Sequence, residues 1–589
     1  MTGRKKDPIW THYNEIHDVN KKGSRAVCKA CNKEIQGIPQ RLKEHFKSCC
    51  AHVQSPGSSI LFTATTTGNQ AADLSIPHAA SSSEPSTSAS GTEHLLSPPI
   101  AKKSRVQPMT NFLVRTSEDL KKQLDHQIAR AVYATNSSFR CVEHPQVKRT
   151  IEMLRPGYQP PSRFDLGNTL LEEIYNEEKE KCFSSVKDQT VNLSIDGWSN
   201  VHMEPIICGC VTTETGEVYL LESIDTSGKP HTADYLQEIS KNLILKCKTQ
   251  YKCRVASFVT DNASAMTRMR LDLRSDDDND GILTYGCAAH ILNLLSKDLD
   301  IREVREHVVQ VVKYFRNNHE AAAKYKAEGG RSLIIPHEVR WNTLADCFQT
   351  YLSEWQTILK VCEENRNIIA SAIYQKVTNM MLKRSIEDLL KIYKPIAVAL
   401  DSLQRTNASL SDAVEVFKQL ELTFEEQDAN LNQISALKKR YKMALTPAHF
   451  LSYMLDPTKT SFALTSEEEN TALEYAQSEY AGTGLLPLII KFKSKTDPFK
   501  KVLFSEEVLR NVKPLQWWRS QLGSNDEHGE LMPIFNQLFT AVASSASVER
   551  IFSTFGLVQS KLRNRLGNEK AAKLVFLFKY YNNEQKMNT

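Results

Sequence analysis

Val191-Asn-Leu-Ser-Ile-Asp-Gly-Trp-Ser-Asn200 is the stretch on which the reading of this chain turns. Five strand-favouring residues lead into Asp196, and Gly197 then interrupts the pattern. A carboxylate is therefore expected at the carboxyl end of a strand. The same grammar returns 65 positions later in Val255-Ala-Ser-Phe-Val-Thr-Asp261-Asn. Two acids at neighbouring strand ends could share divalent cations, although either alone is more often a turn or cap residue.

The surrounding segments extend this sheet. Residues 205 to 213 and Val218 to Ile224 are β-rich and flank the turn signal Glu214-Thr-Gly-Glu217, so they are expected to pair as a hairpin. A helix is expected from about 232 to 248, followed by the Asp261 strand and a short run Ile282 to Tyr285. The result is a mixed sheet with Asp196 on its central strand. Ahead of it, Leu120, Leu124, Ile128 and Val132 recur every four residues, and Leu170, Leu171, Ile174 and Tyr175 form a second apolar helical face. From about 300 to 535 the pattern is mostly helical, with Leu390, Ile392, Tyr393, Ile396 and Leu400 on one face.

The N-terminus has a different character. Residues 1 to 50 carry eleven Lys or Arg against five Asp or Glu, whereas the remaining 539 carry 63 against 64. This local surplus favours a polyanion such as DNA. Within it, Cys28-x-x-Cys31 is followed after thirteen residues by His45-x-x-x-Cys49. Paired thiolates and a helix-borne His and Cys are a tetrahedral Zn²⁺ ligand set, with Cys50 as an alternative fourth ligand. Trp10, Tyr13 and Leu42 supply the few apolar groups of a metal-dependent mini-domain. Residues 51 to 107 are rich in Ser, Thr, Ala and Pro and are expected to be a disordered tether. Ala101-Lys-Lys-Ser-Arg105 within it is compatible with nuclear import.

At 589 residues, 41% hydrophobic and 24% charged, the chain is long enough for several domains. No apolar run approaches the ~18 residues of a membrane span. No signal peptide is expected, and thirteen cysteines in so long a chain are expected to be mostly thiols in a reducing compartment.

The N-terminal pattern resembles a BED-type zinc finger. In that family the finger binds DNA, which implies phosphate contacts for Arg4, Lys5, Lys6, Arg41, Lys43 and Lys47; a purely structural or protein-binding zinc module is the alternative. Further along, Asp196-Gly-Trp-Ser, Thr260-Asp-Asn, Cys287-Ala-Ala-His-Ile-Leu-Asn293, Arg340-Trp-Asn342 and Ser545-Ala-Ser-Val-Glu-Arg-Ile-Phe-Ser553 stand in one order. Together they resemble the signature of hAT superfamily transposases, cut-and-paste enzymes with a ribonuclease-H-like core.

The resemblance implies an α/β ribonuclease-H-like core, with a mixed sheet, interrupted by a large all-α insertion. It also implies an acid triad at Asp196, Asp261 and Glu549 that uses Mg²⁺ or Mn²⁺, with no small-molecule cofactor. Residues alone would not single out Glu549: Val548, Ile551, Phe552 and Phe555 form an apolar helical stripe, and Glu549 lies at its edge. Arg340 and Trp341 are implied DNA contacts, the indole stacking on a base swung out of the duplex, with a buried core Trp as the alternative. Cys287 and His290 are implied to pack against the active site, and with two potential ligands between them no second zinc site is expected.

The expected domains are a finger at 1–50, a linker at 51–107, a helical domain at 108–187, core at 188–300, an insertion at 301–534, and the last core helix with a dimerisation region at 535–589. Trp517-Trp518 and the stripe Ala571, Leu574, Val575 and Phe578 read either as an exposed dimer face or as core. Lys561, Arg563 and Arg565 add a basic cluster. The partners expected are DNA and a second copy or higher oligomer, with no membrane, in the nucleus. Two functional readings follow: an active transposase, or a domesticated DNA-binding regulator that keeps fold and dimer without chemistry.

Overall fold

The computed structural model describes residues 8–16, 25–36, 39–50, 116–276, 281–336, 343–522, 530–560 and 566–587. The expected tether, the import cluster, Arg4, Lys5, Lys6, Arg340, Trp341 and the cluster Lys561, Arg563 and Arg565 all lie outside these residues, as do the side chains of Lys47 and Cys50. The chain divides into two compact units, 1–104 and 105–589.

The first unit is a three-stranded antiparallel sheet, β1 (Tyr13–Ile16), β2 (Arg25–Cys28) and β3 (Glu34–Gln36), followed by a helix Pro39–Cys50. Its interior is small: Tyr13, Ala26, Cys28 and Leu42 are buried, with Trp10 and Ile35 packed against them. The Tyr13 hydroxyl donates to the Leu42 carbonyl at 2.8 Å and ties sheet to helix.

The second unit is built on a five-stranded mixed sheet in the order β6–β5–β4–β7–β8. Its strands are β4 (Thr190–Ser199), β5 (Pro205–Thr213), β6 (Val218–Asp225), β7 (Arg254–Thr260) and β8 (Leu283–Gly286). As expected, β5 and β6 form an antiparallel hairpin, and β4 is central. β4 pairs antiparallel with β5 and parallel with β7. Val191 to Ile195 are all buried, the mark of a strand covered on both faces.

The expectation that Gly197 ends this strand is corrected. β4 continues to Ser199, with Gly197 opposite Ile207 and Ser199 opposite Pro205. The antiparallel partner supplies the hydrogen bonds that hold glycine extended, and Asn200 closes the return by accepting from the His202 and Glu204 amides. Pairing with the parallel neighbour, however, stops at Ser194 opposite Val259. Asp196 therefore sits just past the point where β4 and β7 part.

Between β6 and β7 the chain forms the helix Ala233–Lys246 and one wide turn at Cys247–Tyr251. The helices Glu118–Ala134, Thr169–Val186, Ala546–Val558 and Asn568–Met587 share one core with the sheet through residues such as Val132, Leu171, Leu193, Val548 and Val575. A second core joins Val259 and Tyr285 of the sheet to the helices between 288 and 540. There Trp517 and Trp518 are 1% and 0% exposed, and their indole N–H groups donate to the carbonyls of Leu503 and Leu455. Ala571, Leu574 and Val575 are also buried, and Phe578 is half-buried. Of the two readings of these residues, the structure selects core, with Phe578 alone at the margin.

Candidate active site and zinc site

In the first unit the tight turn after β2 carries Cys28 and Cys31, with Asn32 in the left-handed region at φ 56°. The Asn32 amide donates to the Cys28 carbonyl at 2.9 Å, and the Cys28 amide to that of Lys33 at 3.0 Å. Cys31 Sγ lies 3.2 Å from His45 Nε2. One ligand atom from each of Cys28, Cys31, His45 and Cys49 falls within 4.8 Å of every other, which makes this a group able to hold a metal ion. Crowding of the thiols separates their acidities. A hydrogen bond with Cys31 and burial push Cys49 up to about 12, whereas at Cys28 burial is outweighed by hydrogen bonds from the Ala30 and Cys31 amides together with those of the His45 and Cys31 side chains, which bring it down to about 7. Arg41 and Lys43 are exposed on the helix.

In the second unit three acids from distant segments meet electrostatically. Asp196 accepts from the Gly197 amide at 2.8 Å, and Asp261, immediately after β7, accepts from the Ala263 amide at 3.1 Å. Glu549 stands in the first turn of its helix, where the helix dipole favours an anion. Its helix is held beside β4 by Trp198, which stacks on Phe552 at 5.8 Å and tilts against Phe555 at 5.9 Å. Burial and the charge of Asp261 raise Asp196 to about 7. Burial, Asp196 and Asp261 raise Glu549 to about 8, opposed by Arg550. Among the described residues the Cys/His group is the one set of three or more ligands within 4.8 Å, so the three carboxylates are spaced more widely than that.

Cys287 and His290 lie at the start of the helix Ala288–Asp298. The buried Cys287 sulfur accepts from the amides of His290 at 3.3 Å and Ser545 at 3.4 Å, and burial pushes its thiol up to about 11. Burial lowers the pKa of His290, which the charge of Asp261 partly offsets. Cys287, whose amide also donates to the Thr260 carbonyl, therefore bridges the end of β7 and the segment leading into the Glu549 helix. Arg550 was not singled out from sequence; its guanidinium donates to the Gln404 carbonyl while its charge acts on Glu549. The adjacent Glu549-Arg550 pair is the one signal that could have pointed to it.

A metal-competent Cys/His unit and a mixed α/β unit with three mutually repelling carboxylates define the general class of protein. Residues 161–315 match a domain of unknown function, DUF659, and residues 499–581 match the hAT family C-terminal dimerisation region. Over 517 residues, 74% of this chain, the sequence is 23% identical to a Zea mays protein named as an AC transposase, and the match covers 62% of that protein. A second Zea mays protein, named as an AC9 transposase, is 29% identical over 174 residues, 27% of this chain and 20% of its own length. The chain thus spans less than two thirds of either relative. It is similar to these transposases, and its C-terminal part matches the dimerisation region of the hAT family. No helix among the described residues is long and apolar enough to cross a membrane.

Proposed function

We propose that this chain is a nuclear DNA-acting protein that cuts and joins DNA by metal-dependent phosphodiester transfer in a ribonuclease-H-like core, at Asp196, Asp261 and Glu549. The observation that carries this reading is the charge coupling at the site: Asp261 raises Asp196, and both raise Glu549, although they come from positions 65 and 288 apart in sequence. Repulsion of this kind is relieved by a hard divalent cation, and a carboxylate-only donor set suits Mg²⁺ or Mn²⁺. When bound, such ions stabilise the attacking and leaving oxygens of an in-line displacement. The chain's own part is positional. β4 holds Asp196 just past the point where it parts from β7, the end of β7 holds Asp261, the Trp198–Phe552 stack fixes the Glu549 helix, and Arg550 tempers the charge of Glu549.

In this proposal Cys28, Cys31, His45 and Cys49 hold one structural Zn²⁺, a donor set that fits a closed four-ligand site. Arg4, Lys5, Lys6, Arg41, Lys43 and Lys47 contact DNA phosphates, and Arg340 and Trp341 contact DNA. The C-terminal region pairs two copies. The test is Mg²⁺- or Mn²⁺-dependent nicking of DNA carrying the element's own ends, by wild type beside Asp196→Asn, Asp261→Asn and Glu549→Gln. Each variant should lose ~10²–10³-fold in rate, the scale on which removing one electrostatic contributor to a transition state is felt. Equal nicking by all four proteins excludes these acids, and no nicking by wild type on its own ends favours the domesticated regulator.

A further inference from the structure

Arg270 belongs to none of the sequence motifs, yet it is a cation only 8% exposed at the foot of the acid site. It lies on the helix Ser264–Arg274, directly after the Asp261 turn. Its Nη1 donates to Thr260 Oγ1 and, at 2.5 Å, to the backbone carbonyl of Asp261. Its Nη2 reaches Thr267 Oγ1 at 3.2 Å and Asn262 Oδ1 at 3.4 Å. The guanidinium thus grips the Asp261 backbone and leaves the carboxylate to accept from the Ala263 amide. An ion pair would have occupied the side-chain oxygens that a cation needs.

The grip extends to the third acid. Asn262 Nδ2 donates to the Cys287 carbonyl at 2.9 Å, and the Cys287 amide donates to the Thr260 carbonyl at 2.8 Å. The Cys287 sulfur in turn accepts from the Ser545 amide, four residues before Glu549. Asn262 fits only because position 286 is glycine: a Cβ there would lie 1.9 Å from Asn262 Oδ1.

We propose that Arg270 and Asn262 are positioning residues that lock the Asp261 turn to the segment entering the Glu549 helix and so set the spacing of the acids for divalent-cation binding. This rests on the reading of the acids as cation ligands. A planar fork that serves several acceptors at once is a geometry arginine supplies and lysine does not.

The test is Mn²⁺ binding by the full-length protein, followed by loss of the free-ion paramagnetic resonance signal, with circular dichroism to verify folding. Arg270→Gln, Asn262→Ala and Gly286→Ala should each bind Mn²⁺ ~10–100-fold more weakly, as is typical when groups that orient ligands are lost. Arg270→Lys should remain weaker than wild type despite its charge. In nicking assays the Mn²⁺ requirement should rise while the rate at saturating metal stays near wild type. Wild-type Mn²⁺ affinity in folded Arg270→Gln or Asn262→Ala, with Asp196→Asn impaired, overturns this inference alone. Equal Mn²⁺ uptake by wild type and Asp196→Asn overturns the acid-site reading and this inference with it.

Discussion

The two candidate metal sites are assembled by opposite means. The Cys/His group draws all four ligands from residues 28 to 49, two on one turn and two on one helix. The acid site draws its three from residues 196, 261 and 549, on a strand, a strand end and a helix. Among its described residues the first unit buries a core of Tyr13, Ala26, Cys28 and Leu42, little apolar surface to offset the entropy of ordering them. The second has three extended hydrophobic cores, and two of its acids impose a cost because burial and repulsion raise Asp196 and Glu549. A metal would therefore act on folding in one unit and on charge in the other.

The largest effect separates the units. Chelation of zinc, or Cys28→Ser, should unfold residues 8–50, because structural zinc is worth ~10 kcal/mol or more to such a finger. Amide exchange in β4 and β7 should stay unchanged; a general loss of protection would break the contrast. Next in size, Trp518→Ala should destabilise the second unit by ~3–5 kcal/mol, as for other large buried aromatics, and should leave the Cys/His unit intact by the same measurement.

A smaller effect tests the charge side of the comparison. In the absence of divalent cations, Asp196 at about 7 and Glu549 at about 8 lie above the unfolded carboxylate range of about 4. The folded protein then holds protons that the unfolded chain releases. Stability should fall as pH rises from about 4 through 8, at up to about 1.4 kcal/mol per pH unit for each of the two groups. Denaturant titrations across that range should show the slope, and Asp196→Asn should flatten part of it. Unchanged slopes in Asp196→Asn and Glu549→Gln would locate the effect elsewhere.

The smallest effect concerns assembly. Since Phe578 is half-buried while its neighbours on the stripe are core, Phe578→Glu should cost the fold only ~1 kcal/mol, within the ordinary range of single substitutions. It should still convert a dimer to a monomer by sedimentation. A folded variant that sediments as an unaltered dimer would remove this position from the interface.

Much of the sheet was legible because hydrophobic runs and a turn signal are local. Glu214 to Glu217 announced the β5–β6 hairpin, and the two strands pair antiparallel. Gly197 misled because whether a glycine ends a strand depends on its cross-strand partner, here Ile207, which no local pattern reveals. Trp517 and Trp518 remained open between surface and core because an aromatic pair has the same pattern in both settings; the carbonyls of Leu503 and Leu455 that accept their N–H groups lie 14 and 63 positions away. Arg270 was silent for the same reason, since one arginine on a helix ordinarily reads as a solvated charge.

By itself the sequence determined the spacing of Cys28, Cys31 and His45, compatible with one turn and one helix, and the strands that lead to Asp196 and Asp261, while the grouping of Cys49 with the first three came from the structure. Only the tertiary structure decided that Glu549 joins those acids, through the stacking of Trp198 on Phe552, and that Arg270 grips the Asp261 turn from below. Short-range geometry follows from the torsions of adjacent residues, which sequence constrains directly. The meeting of residues hundreds of positions apart is set by the packing of the whole core, where no single residue carries the instruction.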